Sequence, residues 1–429
     1  MSRRLKDSKQ EYIGKIPVEW DIIKLCYITN DIFLGKTPVY SETPNENYII
    51  GQKNNQSTGI DLNGVKYGTD AFFFERSDKE YLKIGDVLLN TLGTGSVGRI
   101  GYWNINDGSY ITDGHIMIFR PNNNCYGRFL YYALVSQHKK LEDDAVGSTN
   151  QAFLTVSQLY KNKIAITDYK EQIKISNFLD EKCNQIDNII SKTQASIEEY
   201  KKLKQSIITQ AVTKGVRGDR EMKDSGSIWF GYIPSEWEMR KIKYQFHIKK
   251  DIAGKEGYTI LSITQKGIIP KDISKNEGQL AANYSNYQLV APGDFAMNHM
   301  DLLTGWVDIS KYSGVTSPDY RVFVLDDKVN NSSEFYLYMM QMCYSNRIFY
   351  GLGQGVSGLG RWRLQADKFL NFMIPVPSYD EQKEIADYIV AKTSELDNLI
   401  SKKEAFINEI EAYKKSLIYE YVTGKKEVV

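Results

Sequence analysis

The chain has 429 residues, 42% of them hydrophobic and 25% charged, with a formal net charge of +1. That length exceeds what one core usually serves, and the composition is that of a folded protein rather than a disordered one, so two or more domains are expected. The near-neutral balance excludes a protein that coats polyanions with its whole surface, but leaves room for a DNA reader whose cations are local.

The opening residues Met1–Gln10 carry charges and no apolar stretch, so no secretory signal is expected. No apolar run reaches the roughly 18 residues that a membrane helix needs. Cys26, Cys125, Cys183 and Cys343 are scattered without a C-x-x-C pair, which suits reduced thiols in a cytoplasmic protein and gives no zinc site. The histidines (His115, His138, His247, His299) form no H-E-x-x-H, and no metal is expected.

The first motif is Gly14-Lys-Ile-Pro-Val-Glu-Trp20. Residues about 21–165 then read as an α+β body, with strand-like runs at Tyr48-Ile-Ile50, Val87-Leu-Leu89 and Ile116-Met-Ile-Phe119 and a helix from Arg128 to Leu134. Gly35-Lys36-Thr37 ends like a P-loop, but Asn30 stands where the first glycine belongs and Pro38 follows, so no phosphate cradle is expected. Gly93 to Gly98 satisfies G-x-G-x-x-G. A dinucleotide site needs a helix next, whereas Arg99-Ile-Gly-Tyr-Trp103 reads as a strand, and a hairpin turn is expected instead. A polar loop, Gly147 to Gln151, precedes Leu154.

From Glu171 to about Val212, apolar residues recur at Leu179, Ile186, Ile190, Ile197, Tyr200 and Ile207. This 3-4 alternation predicts a narrow apolar stripe on a long helix, about 40 residues and roughly 60 Å, stopped near Gly215. Gly231-Tyr-Ile-Pro-Ser-Glu-Trp237 repeats the first motif. The second body, about 238–375, has strand-like runs at Thr259–Ile263, Phe295-Ala-Met297 and Arg321–Leu325, a helix from Glu334, a Gly- and Ser-rich loop from Gly351 to Arg361, and Leu364 in the place of Leu154. A second stripe then runs through Leu396, Ile400, Ile407, Ile410 and Leu417 to Gly424.

The two halves are therefore one module written twice. Tyr169-Lys-Glu-Gln172 matches Tyr379-Asp-Glu-Gln382, Asp187–Lys192 matches Asp397–Lys402, and K-x-S-[IL]-I begins at both Lys204 and Lys414. The expected fold class is α+β: two globular α+β domains separated by two long helices packed as an antiparallel coiled coil, with an internal pseudo-two-fold repeat. The expected boundaries are 1–165, 166–215, 216–375 and 376–429. The alternative is that each helix lies on its own body as an ordinary amphipathic helix.

With these motifs the chain resembles the DNA specificity subunits of type I restriction–modification systems. The features that carry the resemblance are the G-x-I-P-x-E-W entries, Gly35-Lys-Thr-Pro38, Pro292-Gly-Asp294, and the exits Ile166-Thr-Asp-Tyr-Lys-Glu-Gln172 and Ile374-Pro-Val-Pro-Ser-Tyr-Asp-Glu-Gln382. The first exit has Thr167 where the second has Pro377, which suggests a less stiff loop. The resemblance implies that the bodies are target recognition domains, each reading half of a split sequence in double-stranded DNA. It implies that the helices set the spacing and dock two copies of a methyltransferase (modification) subunit and, through them, restriction/translocase subunits. The chain itself is then non-catalytic and binds no cofactor, and S-adenosylmethionine, ATP and Mg belong to the partners. Neither N-P-P-Y nor D-P-P-Y occurs.

Within that resemblance, polar and basic loop residues are the candidates for DNA contact. In the first body these are Lys36, Thr37, Lys53, Asn54, Asn55, Gln56, Ser148, Asn150 and Gln151. In the second they are Thr264, Gln265, Lys266, Asn298, Arg361 and Arg363. Candidates for the helical spacer and partner docking are Glu171, Gln172, Leu179, Ile186, Ile190, Ile197 and Ile207, with Glu381, Gln382, Leu396, Ile400, Ile407 and Leu417 in the second copy. Two other classes compete. One is a restriction–modification enzyme with its own nuclease or methylase activity, and the other is a structural adaptor with two protein-binding heads on a coiled-coil spacer.

Overall fold

A computed structural model describes residues 3–56, 59–93, 95–147, 152–272, 283–356 and 361–428. By contact the chain divides into two units, one running to Thr193 and completed by Ala405 onward, the other Gln194–Glu404. Both divisions fall inside long helices, Tyr169–Lys214 and Tyr379–Val422. The boundaries expected from sequence separate bodies from helices, whereas the contacts do not. The reason is burial: Ile175, Leu179, Cys183 and Ile186 of one helix, with Leu417, Ile418 and Val422 of the other, enter the core of the first body.

The first unit is built on an antiparallel sheet ordered Ile100–Tyr102, Val87–Asn90, Ile116–Pro121, Thr29–Leu34. Its central strands are apolar at consecutive positions because both faces are covered. Val87, Leu89, Met117 and Phe119 point toward the helix Gly127–Val135 and the long helices. Leu88, Ile116 and Ile118 point the other way, into a cluster with Trp103 and Tyr110. A second sheet pairs Ser109–Thr112 in parallel with Asn47–Ile50 and continues through Lys66–Gly68 to Tyr40–Ser41.

The second unit repeats the main sheet with the order Phe246–Lys249, Arg321–Leu325, Phe295–Met297, Val307–Ile309. Phe246 meets Phe295, Phe323 and Tyr336 edge to face at 5.2 to 5.4 Å. All six expected strand runs are strands, with Thr259–Ile263 displaced to Leu261–Thr264. Each body holds more than its one expected helix. Asp70–Phe74, His138–Asp144 and Val156–Lys161 lie in the first, and Ile348–Leu352 and Ala366–Asn371 in the second. These are too short to show a helical period in sequence. The Gly- and Ser-rich stretch of the second body includes part of Ile348–Leu352 and a strand pair, Gln354–Val356 with Arg361–Arg363.

Gly93–Gly98 does join two antiparallel strands, and no helix follows it. After Gly35-Lys-Thr the chain continues to the strand Tyr40–Ser41. Among the described residues no helix is long and apolar enough to cross a membrane. All four cysteines are free, and burial pushes the Cys125 thiol up to about 12, far from a reactive thiolate.

The long helices have 46 and 44 residues, about 65–70 Å each at ~1.5 Å per residue. Within each unit the start of one lies antiparallel to the end of the other. In the first unit Phe178 meets Tyr421 at 4.5 Å between ring centroids and Asp187 pairs with Lys414 at 2.7 Å. In the second, Lys403 lies over Tyr200 at 5.5 Å and Lys204 pairs with Asp397 at 2.7 Å. The repeated D-N-[IL]-I-S-K and K-x-S motifs thus have one shared reason: the aspartate of each copy meets the lysine of the other. Both expected packings occur, helix on helix and helix on body. Leu179, Ile186, Ile197, Leu396, Ile400 and Leu417 are buried, while Ile190, Ile207 and Ile407 are half-buried. These ion pairs are partly exposed, so Lys414→Ala should cost less than about 1 kcal/mol in urea unfolding, and the loss should shrink in high salt.

Candidate nucleic-acid interface

Each long helix is locked to its body by the Glu-Gln of its first turn. Glu171 accepts the Trp20 indole N–H at 3.2 Å and pairs with Arg3, while its backbone N–H is capped by Asp168 at 3.0 Å. Glu381 accepts the Trp237 indole N–H at 3.0 Å and pairs with Arg220, whose guanidinium it holds above its ordinary range by hydrogen bonding. Gln172 accepts from the Tyr126 N–H at 2.8 Å and donates to the carbonyls of Asn124 and Thr167. Gln382 accepts from the Ser332 N–H at 2.9 Å and donates to the Pro377 carbonyl. Tyr126 and Ser332 are the residues that start the body helices Gly127–Val135 and Ser333–Ser345. Both glutamines therefore fix the long helix against a body helix.

This changes the reading of four candidates. Half-buried Glu171 is already engaged by Trp20, Arg3 and Thr167, while Gln172, Glu381 and Gln382 are buried and cannot reach a partner. Nor can the buried stripe leucines and isoleucines. Thr167 does not loosen its loop, since its hydroxyl donates to Glu171, which Pro377 cannot imitate. The arginine of each lock was missed in sequence. The signal was there: Arg3-Arg-Leu-Lys-Asp-Ser8 aligns with Arg220-Glu-Met-Lys-Asp-Ser225 at the same offset as the two entry motifs. Both segments pair with the entries in identical register, Leu5 with Pro17 and Met222 with Pro234.

In the first body the polar loop after Ile50 is fastened to the Gly93–Gly98 hairpin. Asn55, 0% exposed, donates to the Asn90 side chain at 2.9 Å and to the Arg99 carbonyl at 3.3 Å. Asn90 in turn donates to the Gln52 carbonyl, and Gln52 to the Leu92 carbonyl. Asn54 is buried, spanning the loop from Gly51 N–H to the Asp61 carbonyl. Asn54 and Asn55 are thus the frame of the loop rather than its outer surface. Lys36, Thr37 and Lys53 are exposed and Gln56 half-exposed. Ser148, Asn150 and Gln151 lie outside the described residues.

In the second body Thr264 closes a turn by donating to the Gly267 carbonyl at 2.9 Å, leaving Gln265 and Lys266 exposed at its tip. Asn298 is turned to its own backbone, accepting from the N–H groups of Met300 and Asp301. Arg361 lies on the strand with Arg363, whose side chain is exposed. Arg321, 5% exposed, donates to the Leu364 carbonyl at 2.8 Å and lies over Phe369. It enters no ion pair among the described residues, and burial holds it down at about 10. Burial, then Arg321 and Arg363, press His299 down to about 3, so it is neutral at physiological pH. Arg321 and Arg363 thus lie close enough to act on the same histidine, with Asp367 a nearby carboxylate.

The two frames correspond in two backbone hydrogen bonds. Asn90 N–H donates to the Arg99 carbonyl and Asn298 N–H to the Trp306 carbonyl, both at 2.9 Å. Leu154 N–H donates to the Thr91 carbonyl and Leu364 N–H to the His299 carbonyl, again at 2.9 Å. The same positions therefore carry Arg99 in one body and Trp306 in the other.

Comparison with known proteins gives a consistent result. The type I restriction modification DNA specificity domain matches twice, over residues 17–199 and 234–412. The type I restriction enzyme MjaVIII specificity subunit of Methanocaldococcus jannaschii is 22% identical over 438 aligned positions, covering 96% of this chain and 94% of that one. A protein of the same archaeon named as the specificity subunit of MjaX is 23% identical, covering 98% and 96%. A chain from a structural study of complex assembly and conformational transition in the type I restriction–modification system shares the fold, with a TM-score of 0.69, 13% identity and coverage of 96% and 99%. With both copies of the module matched, this chain belongs to the family of type I restriction–modification DNA specificity proteins.

Proposed function

We infer that this chain is the DNA sequence-recognition subunit of a type I restriction–modification complex, each body reading a different half of a two-part target. One observation carries the reading: a single frame, hydrogen-bonded alike in both bodies, presents Arg99 in one and Trp306 in the other at the same place. A frame kept constant under changed side chains is what two readers of two sequences require. The long helices run covalently from one unit into the other and tie the two readings into one event.

The helices also supply a basis for two copies of one partner. Ile189 and Leu399 occupy equivalent repeat positions, as do Leu203 and Tyr413, and all four are 42 to 55% exposed. Apolar side chains left on two equivalent helical surfaces favour two identical modification subunits, which in turn would carry the restriction subunits. In this reading the chain performs no chemistry, and S-adenosylmethionine, ATP and Mg²⁺ act on the partners.

Footprinting the assembled complex on its target should show two protected patches with an unprotected gap. The purified chain with S-adenosylmethionine and Mg²⁺ should neither methylate nor cut DNA. A structural adaptor would leave no footprint, and turnover by the chain alone would make it an enzyme.

A further inference from the structure

The first body contains a cation that neither the composition nor the polar-loop motif singles out. Arg99 follows the Gly93–Gly98 hairpin and enters no ion pair among the described residues. It opens onto a cleft of about 290 Å³ that it shares with Arg128 and Lys414. Those two are neutralised, Arg128 by Asp180 at 2.6 Å and Lys414 by Asp187 at 2.7 Å. Arg99 is not.

Its guanidinium is held rather than free. Nη1 donates to Gln56 Oε1 and Nη2 to the Gly95 carbonyl, both at 3.0 Å. Two of five donors are thus used, and a fork of N–H groups remains. Behind it the Arg99 carbonyl receives the Asn55 side chain and the Asn90 N–H, so Arg99, at the entry to the strand Ile100–Tyr102, is tied to the short strand Asn55–Gln56. Gly101 allows this closeness, since a Cβ there would lie 2.0 Å from Asn55 Oδ1.

Resting on the function inferred above, we propose that Arg99 reads a guanine in the half-site of the first body, with Gln56 and the Asn55–Asn90 pair as positioning residues. Two observations favour a base over a phosphate. A backbone contact carries no sequence information and would call for the same residue in both bodies, yet the equivalent position is Trp306. The fork is also tethered on both sides, by Gln56 and Gly95, which limits it to one plane as guanine O6 and N7 require, whereas tetrahedral phosphate oxygens can be met from many directions.

The test is selection of DNA from a randomised duplex pool by the assembled complex, with wild type, Arg99→Ala and Arg99→Lys compared. Wild type should enrich a two-part sequence. Arg99→Ala should lose discrimination at one G·C pair of one half by tenfold or more, leaving the other half unchanged. Arg99→Lys, which keeps the charge but not the fork, should keep affinity for random DNA and still lose that preference. A uniform loss by Arg99→Ala at all sequences, restored by Arg99→Lys and with a shallower salt dependence, would make Arg99 a phosphate contact and overturn the proposal. Unchanged preference in both variants would overturn it as well. If wild type itself enriched no two-part sequence, the function inferred above would fail, and not this assignment alone.

Discussion

Replacing Glu381 with alanine is expected to destabilise the second unit by about 3–5 kcal/mol. Glu381 is 1% exposed and its carboxylate is the common acceptor for Trp237 and Arg220. Without it, a largely buried guanidinium loses its principal partner and a buried indole N–H loses its acceptor, both in a site water does not freely enter. Glu236, the other carboxylate on Arg220, is exposed and a weak substitute. Glu381→Gln keeps the volume and the acceptor for Trp237, so a clearly smaller loss is expected. Glu171→Ala should also cost less than Glu381→Ala, since Arg3 and Glu171 are each 18% exposed and water compensates part of the change. Urea unfolding followed by tryptophan fluorescence, with hydrogen exchange around Trp237 to localise it, checks the ranking. A loss below about 1 kcal/mol for Glu381→Ala would show that the lock is ornamental.

Gly424→Ala is expected to cost about 2–4 kcal/mol in the first unit. The second long helix ends at a left-handed glycine, φ +66°, where a side chain alone costs roughly 1–2 kcal/mol. An added Cβ would also lie 2.5 Å from the Pro17 ring and 3.0 Å from the Trp20 indole, and crowding of that kind typically costs about 1–3 kcal/mol. Gly215 ends the first helix in the same way, φ +75°, against Trp237 and Arg220. The contrast with Gly218 is the control, because nothing lies within 4 Å of a Cβ there. Thermal melts of Gly424→Ala and Gly218→Ala that coincide would refute the account.

What was legible in the sequence was whatever is local or repeated. The long helices were visible because a stripe such as Leu179, Ile186 and Ile197 has a period that survives without tertiary information. The twofold module was visible because its anchor residues recur, and the lock explains why: Trp20 with Glu171 and Trp237 with Glu381 are fixed by the same geometry. The arginines of the locks were equally readable, but Arg3 and Arg220 precede the motif that caught attention. Loop burial was not readable. Asn54 and Asn55 have the residue type of a solvated turn, yet Asn54 is turned inward by Gly51 and Asp61 of its own loop and Asn55 by the approach of Asn90 and Arg99 from elsewhere in the chain. Arg99 itself sits in what reads as an ordinary strand after a hairpin, with nothing local to mark it. Gln172 and Gln382 likewise gave no sign that each supplies an acceptor to the start of another helix.

The division of the chain has a consequence for synthesis. The second unit is one continuous segment, Gln194–Glu404, and needs nothing made after it. The first emerges earlier yet lacks Leu417, Ile418 and Val422, which close its apolar interior. The half translated first therefore cannot close its core until the last turns of the second long helix have been made. A truncated chain released after Glu404 would hold every residue of the second reader and leave the first open to chaperones.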